Sequence, residues 1–216
     1  MLNQVYLFSE LAPADTNALT EHTHTRSYPA NSILINEGDN TDSLYVILEG
    51  EVKAYACDES GKEVILNILR AGDYFGELAL VDDEPRSASV MTLTATKVMI
   101  ISKANFKQCL SDNSDLAFNL IRALTRQVRG LTESVKSLAL MDVYGRVAHT
   151  LLDLAKDKNQ DGKLMIKPKL THQDIAHIVG SSREMVSRIF KELTKGNYIT
   201  VAKDSIVINE KLPAGW

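Results

Sequence analysis

Leu170-Thr-His-Gln-Asp-Ile-Ala-His-Ile-Val-Gly-Ser-Ser-Arg-Glu-Met-Val-Ser-Arg-Ile-Phe-Lys-Glu-Leu193 sets the reading of the whole chain. Thr171, followed three residues later by Asp174, approximates a capping box, which satisfies free N–H groups at a helix start. Ile175, Ala176, Ile178 and Val179 give that helix a buried side, and Gly180 predicts the turn that ends it. Ser181 or Ser182 then caps a second helix, whose Val186, Ile189, Phe190 and Leu193 recur at helical spacing. Two short helices joined through a Gly-containing turn form a helix-turn-helix. The second helix presents Arg183, Glu184, Ser187, Arg188 and Lys191 outward. Arg offers a bidentate fork to guanine, Glu accepts from the cytosine amino group, and recognition helices read bases with their N-terminal residues. A solvated face would also carry charge, but it needs no capped helix before it, no Gly turn and no hairpin pattern after it. That hairpin, Tyr198-Ile-Thr-Val201 and Ile206-Val-Ile208, reads as a wing with Lys203 near its tip as a phosphate contact.

Working toward the N-terminus, Asp142 is placed to cap a helix carrying Val147, Leu151, Leu152, Leu154 and Ala155. The polar loop Lys156-Asp-Lys-Asn-Gln-Asp-Gly-Lys163 and a short β-prone run, Leu164-Met-Ile166, follow it. Before it, Leu120, Leu124, Val128, Leu131, Val135 and Leu138 are spaced 4, 4, 3, 4 and 3. That seam, close to a 3.5-residue repeat and opened by Ser114 as N-cap, predicts a long dimerising helix. Gly130 within it would cost ~1 kcal/mol against Ala, which suggests a small-residue contact or a flexible point there.

Between Ser27 and Ser102 the pattern is short β-prone runs: Ser32–Ile35, Leu44–Leu48, Val52–Tyr55, Val64–Leu69, Ala88–Thr94 and Lys97–Ile101. Turn residues such as Glu37-Gly-Asp-Asn40, Asp58-Glu-Ser-Gly61 and Asp82-Asp-Glu-Pro85 separate them, which argues for a β-sandwich or barrel. One loop stands out: Gly72-Asp-Tyr-Phe-Gly-Glu-Leu-Ala-Leu80, then Glu84-Pro-Arg-Ser-Ala-Ser89. Gly76 permits close backbone approach, and a helical turn over Glu77–Leu80 would expose N–H groups to an anion. Arg86 would supply charge and a fork for phosphate, Ser87 a hydroxyl, and Glu77 an acceptor for a ribose hydroxyl. A strand connection stapled by a Glu77–Arg86 ion pair accounts for the same residues.

The chain's 216 residues are 44% hydrophobic, 24% charged and 6% aromatic, ample for buried cores. Its longest apolar runs reach four or five residues, far short of the ~20 that span a bilayer. The first ten residues lack the pattern of a secretory signal, so a cytoplasmic location is expected. Two cysteines, Cys57 and Cys109, and five scattered histidines disfavour a disulfide framework and a metal site. Residues 1–113 hold 8 Lys+Arg against 17 Asp+Glu, a balance of −9. Residues 114–216 hold 16 against 11, a balance of +5, so the back half suits a polyanion. No nucleophile–base pair, metal constellation or Walker-type glycine loop is evident, so no enzymatic role is expected.

Phe75-Gly-Glu-Leu-Ala-Leu80 with Arg86-Ser-Ala88 resembles the phosphate-binding cassette of cyclic-nucleotide-binding domains. Leu138-Ala-Leu-Met-Asp-Val-Tyr-Gly-Arg146 and Thr171 through Arg188 resemble the hinge and helix-turn-helix of the cyclic AMP receptor / catabolite activator (Crp-Fnr) family of bacterial transcription regulators. The resemblance runs from about Leu7 to Ile208. It implies an α+β fold: a jelly-roll-like β-roll binding a cyclic nucleotide (1–113), a central dimerisation helix and hinge (114–141), and a winged helix-turn-helix (142–216). It further implies that Gly76 and Glu77 meet ribose and cyclic phosphate within a cassette including Phe75, Leu78 and Ala88. Arg86 and Ser87 would hold the phosphate, and Leu66 and Leu69 would wall the pocket. Met141 and Asp142 would form the hinge; Arg183, Glu184 and Arg188 would read TGTGA-like half-sites. Thr171, Gln173, Ser182 and Lys191 would lie near phosphates. A homodimer, a palindromic double-stranded operator and RNA polymerase are the implied partners, and His24, Arg26 and the 156–163 loop sit where family members touch polymerase.

One departure bears on the effector. Where cyclic AMP receptors carry a Thr-Ser pair that hydrogen-bonds adenine across the dimer, this chain reads Leu131-Thr132. One hydroxyl is lost, worth roughly 0.5–1.5 kcal/mol or about a decade in affinity. Cyclic AMP is the expected effector, with cyclic GMP, a cyclic dinucleotide or a ligand-independent form as alternatives. The absence of an N-terminal cysteine cluster argues against the redox-sensing branch, and no haem ligands are evident. In another functional class, the chain would be a cyclic-nucleotide-sensing module acting on a protein partner.

Overall fold

Val98-Met-Ile-Ile101 is apolar at every position, which in a strand requires cover on both faces. The computed structural model, which describes residues 5–9, 11–12, 16, 19–20, 23–155, 157–159 and 161–213, provides it. Residues 1–4, 10, 156 and 160, which belong to the leader and polar-loop readings, lie outside the described residues. The N-terminal strands are β1 (His24–Tyr28), β2 (Ile33–Ile35), β3 (Ser43–Glu49), β4 (Glu51–Cys57), β5 (Glu63–Arg70), β6 (Tyr74–Phe75), β7 (Ser89–Thr92) and β8 (Thr96–Ser102). They form two antiparallel four-stranded sheets, ordered β1-β8-β3-β6 and β2-β7-β4-β5. Val98, Ile100 and Ile47 join Val52, Phe75 and Val90 in one core cluster. Met99, Ile101, Leu44 and Val46 join a second cluster with Leu7, Phe8, Phe106, Leu116 and Leu120. Alternate residues of β3 and β8 thus serve two cores, as the two-residue period of a strand dictates.

Three strands and one α-helix fall outside the sequence expectation, one of the strands being the two-residue Asp157–Lys158 within the expected polar loop. β1 is polar and exposed at its first four residues, so it carries no alternation, and β6 has only two residues. Helix α2 (Lys103–Asp112), after the single turn α1 (Leu78–Val81), is capped by Ser102, whose side chain accepts from Asn105 N–H. Its few apolar residues include the buried Phe106 and Cys109; both cysteines are free, Cys57 being exposed.

Helix α3 runs unbroken from Ser114 to Leu140. Ser114 is its first helical residue rather than its cap; the extended residue before it is Asn113, whose carbonyl accepts from Ala117 N–H. The expected seam divides in two. Leu116 and Leu120 are buried in the N-terminal core and Leu124 packs against it. Phe118, Ile121, Val128, Leu131, Val135 and Leu138 are each more than half exposed and form a second apolar stripe. Gly130 neither interrupts the helix nor meets a neighbour: a Cβ there would find nothing within 4 Å.

The chain divides into compact units at 1–129 and 130–216. In the second, Asp142 caps α4 (Val143–Leu154) by accepting from Gly145 N–H at 2.7 Å. A small antiparallel sheet ordered β11-β12-β10-β9 follows, from β9 (Asp157–Lys158), β10 (Leu164–Ile166), β11 (Ile199–Val201) and β12 (Ile206–Ile208). Between β10 and β11 lie α5 (His172–Val179) and α6 (Arg183–Lys195). The Thr171–Asp174 capping box is complete, Gly180 at φ 62° ends α5 in the left-handed region, and Ser182 caps α6. Ile175, Ala176, Val179, Val186, Ile189, Phe190 and Leu193 are buried. Among the described residues, no helix is long and apolar enough to cross a membrane.

Candidate effector and nucleic-acid sites

Gly76 follows β6 with φ 88°, and a Cβ there would stand 2.4 Å from Arg86 Nη1 and 3.0 Å from the Ser43 carbonyl. Glycine is therefore required both by the backbone angle and by the passage of the guanidinium. Arg86 is only 3% exposed. It donates from Nε to Thr41 Oγ1 at 2.7 Å, from Nη1 to Gly76 O at 2.6 Å and from Nη2 to Ser43 O at 2.6 Å. All three acceptors are neutral, so the expected alternative of a Glu77–Arg86 staple is not how the side chain is held. Burial lowers its pKa, while Tyr45, Asp42, Glu77 and Asp39 act the other way. A buried cation held by neutral oxygens favours an anion beside it.

Glu77, also buried, precedes α1 in helical conformation. Burial pushes its carboxyl pKa up, against its own backbone N–H and Arg86, which pull it down. Phe75 stacks on Tyr45 with centroids 4.9 Å apart and planes 1° from parallel. Leu78 and Ala88 are half-buried and Ser87 is exposed. Leu69 packs against the inter-sheet core, whereas Leu66 is 49% exposed on the edge strand β5. Leu131 and Thr132 are exposed and lie on the part of α3 that belongs to the second unit. A buried fork, a buried carboxylate and an exposed hydroxyl fit an anionic, hydroxyl-bearing ligand. Among the described residues, no three His, Cys, Asp or Glu converge as a metal set.

On α6, Arg183, Glu184, Arg188 and Lys191 are exposed and Ser187 is half-buried. Arg188 Nη2 rests on Met185 Sδ at 2.9 Å. The Ser182 hydroxyl accepts from Met185 N–H, Thr171 is engaged with Asp174, and Gln173 pairs with the His177 ring. Met141 and Asp142 are tied to the helix-turn-helix through Arg146, which donates to Met141 O at 2.8 Å and Val179 O at 2.7 Å.

The similarities to known proteins follow the same division. Residues 25–113 match the family described as cyclic nucleotide-binding domain, and residues 145–211 the Crp-like helix-turn-helix domain. Over 192 residues the chain is 41% identical to the "cAMP-activated global transcriptional regulator CRP" of Salmonella typhimurium, covering 87% of this chain and 90% of that one. The chain belongs to the Crp/Fnr family.

This Crp/Fnr chain is also 37% identical over 198 residues to "cAMP-activated global transcriptional regulator Vfr" of Pseudomonas aeruginosa, covering 88% and 91% of the two. Among solved structures it superposes on the c-di-GMP responsive regulator CLP of Xanthomonas campestris with a TM-score of 0.79 at 24% identity, covering 92% and 100%. The Thermus thermophilus regulator TTHA1359 gives 0.71 at 26% identity, covering 87% and 94%. The Crp/Fnr chain is thus a cyclic-nucleotide-regulated, DNA-binding transcription regulator and not an enzyme. No residue-type signal marks Thr41 and Ser43, which hold Arg86, and the sequence reading gives no role to Arg146, which ties Met141 to the helix-turn-helix. Arg146 was within reach, as it closes the Leu138–Arg146 segment. Ser43 acts through its carbonyl, which leaves no trace in residue type.

Proposed function

We propose that the chain is a homodimeric regulator, activated by cyclic AMP, that binds palindromic TGTGA-like operators and acts mainly as an activator through RNA polymerase in the cytoplasm. The observation that carries this reading is Arg86, buried on neutral acceptors beside Gly76 and the buried Glu77. Arg86 and Ser87 hold the cyclic phosphate, Glu77 accepts from a ribose hydroxyl, and Leu66 and Leu69 flank the base. Phe75, Leu78 and Ala88 shape the same cassette, and Thr132 offers the base one hydroxyl. The apolar stripe from Phe118 to Leu138 supports a second copy as partner.

Stabilising the extended α3 through the Met141–Asp142 hinge sets two recognition helices about one DNA turn apart, ~34 Å. The effector moves this equilibrium only by its differential affinity for the two states. Arg183, Glu184 and Arg188 read bases, while Thr171, Gln173, Ser182 and Lys191 lie along the phosphates. The test is a titration of a palindromic TGTGA-type duplex with and without cyclic AMP at fixed salt, because affinity depends steeply on salt. Tight binding only with cyclic AMP, abolished by Arg86→Ala, is expected. Leu131, exposed where a hydroxyl would face adenine, favours a second reading. In that reading, equal affinity with and without cyclic AMP points to another cyclic nucleotide or a constitutive dimer. Absence of any DNA footprint transfers the function to a protein partner.

A further inference from the structure

His172 opens α5, but its side chain engages α6. Its Nδ1 lies 2.9 Å from Ser187 Oγ, and its ring packs on Phe190 with centroids 4.6 Å apart and planes tilted by 49°. Phe190 is buried, so the imidazole is held on one side by the core of the helix pair. Ser187 stands one turn after Arg183 and immediately before Arg188. At 100° per residue it falls inside the arc spanned by those two arginines, on the face assigned to base reading.

We propose that His172 is a positioning residue for base reading, fixing the rotamer and hydrogen-bond polarity of Ser187; this rests on the DNA-binding role of α6. A free serine hydroxyl donates and accepts in any direction and therefore discriminates weakly. With one hydrogen bond committed to His172, the remaining capacity is directed. If Nδ1 accepts from Ser187, only lone pairs face outward, and these suit the amino group of adenine or cytosine. If Nδ1–H donates, the serine proton faces outward and suits N7, O6 or O4. The charged groups facing the ring are Lys169, from the segment before α5, and Arg183, from α6. Burial lowers the pKa of the ring, and Lys169 and Arg183 act in the same direction, all of which favours the neutral imidazole.

The test measures the affinity of the full-length protein for a half-site library carrying every single base-pair substitution, at fixed salt. Wild type is compared with Ser187→Ala, His172→Phe, the double variant and His172→Gln; His172→Leu replaces His172→Phe if thermal melting shows that the latter is unfolded. Ser187→Ala is expected to relax discrimination at one base pair by about three- to tenfold, the worth of one hydrogen bond. His172→Phe, which keeps the packing on Phe190, should relax the same base pair by a similar factor. The double variant should go no further, and His172→Gln, which can still bond Ser187, should restore the preference. Three results would overturn the proposal: no base pair responding to Ser187→Ala, His172→Phe weakening all sequences alike, or additive effects in the double variant. Wild-type binding with no sequence preference would instead count against the operator reading itself.

Discussion

Glu77 holds its carboxyl where water cannot solvate the charged form, and burial is the largest influence on its pKa, raising it. The folded protein binds this proton more tightly than the unfolded chain, so Glu77's contribution to stability is greatest at low pH. It falls as pH rises from the ordinary carboxylate range through the raised value. A ribose hydroxyl donating to Glu77 favours the carboxylate, so effector binding expels the proton. Cyclic nucleotide affinity measured by calorimetry between pH 4.5 and 8 is therefore expected to rise with pH, by at most about tenfold per unit, until Glu77 ionises freely. Glu77→Gln should flatten that profile; a wild-type affinity independent of pH throughout would show that Glu77 does not make the contact. At this scale the site was legible where residue type carries the chemistry, as in Gly76, Glu77 and Arg86. It was not legible where the backbone does the work, as in the carbonyls of Gly76 and Ser43 that hold Arg86.

At the scale of elements, α3 is a helix with two apolar faces, and a single spacing pattern could not separate them. Leu120 and Leu124 continue the heptad arithmetic of Val128, Leu131, Val135 and Leu138, yet they belong to the N-terminal core. Phe118 and Ile121 take their places on the exposed stripe. A charge placed on that stripe tests what covers it. Val135→Asp is expected to weaken self-association by about a hundredfold or more in sedimentation equilibrium, since it would bury an unpaired carboxylate. Val135→Ala should weaken it far less, and thermal stability of the N-terminal unit should not change. Elsewhere the strands of β3, β4, β5 and β8 were readable from β-branched runs and turn residues. The outward face of β4 was not: Glu51 and Lys53 are 8% and 5% exposed, paired with Arg70 and Glu63 across the ladder. Charges in a sequence suggest solvent; Glu51 and Arg70 are revealed as register partners, whereas Lys53 stands opposite Ile68 and reaches along the neighbouring strand to Glu63.

For the molecule as a whole, the charge asymmetry persists across the structural units: residues 1–129 hold 11 Lys+Arg against 18 Asp+Glu, a balance of −7, and residues 130–216 hold 13 against 10, a balance of +3. The order of motifs makes two kinds of unit expected, because a helix-turn-helix and a phosphate cassette each need only local sequence; the boundary of the compact units at 129/130, inside α3, carries no such local signal. Communication between the units could not be read in this way, since in the proposed mechanism it depends on an equilibrium that residue type does not encode. Gly130 bears on that equilibrium. The helix passes through it with empty space where a side chain would stand, so nothing in the fold demands a glycine there. On the proposed mechanism, in which the extended α3 is the DNA-binding form, the ~1 kcal/mol by which glycine weakens a helix relative to alanine disfavours that form without effector. Gly130→Ala should therefore raise operator occupancy in the absence of effector by up to about fivefold, the equivalent of ~1 kcal/mol, while compressing the induction ratio by the same factor. An unchanged basal occupancy would mean that the switch lies elsewhere. With the expected rise in occupancy, one hydrogen in place of a methyl group is the difference between a regulator that waits for its signal and one that partly ignores it.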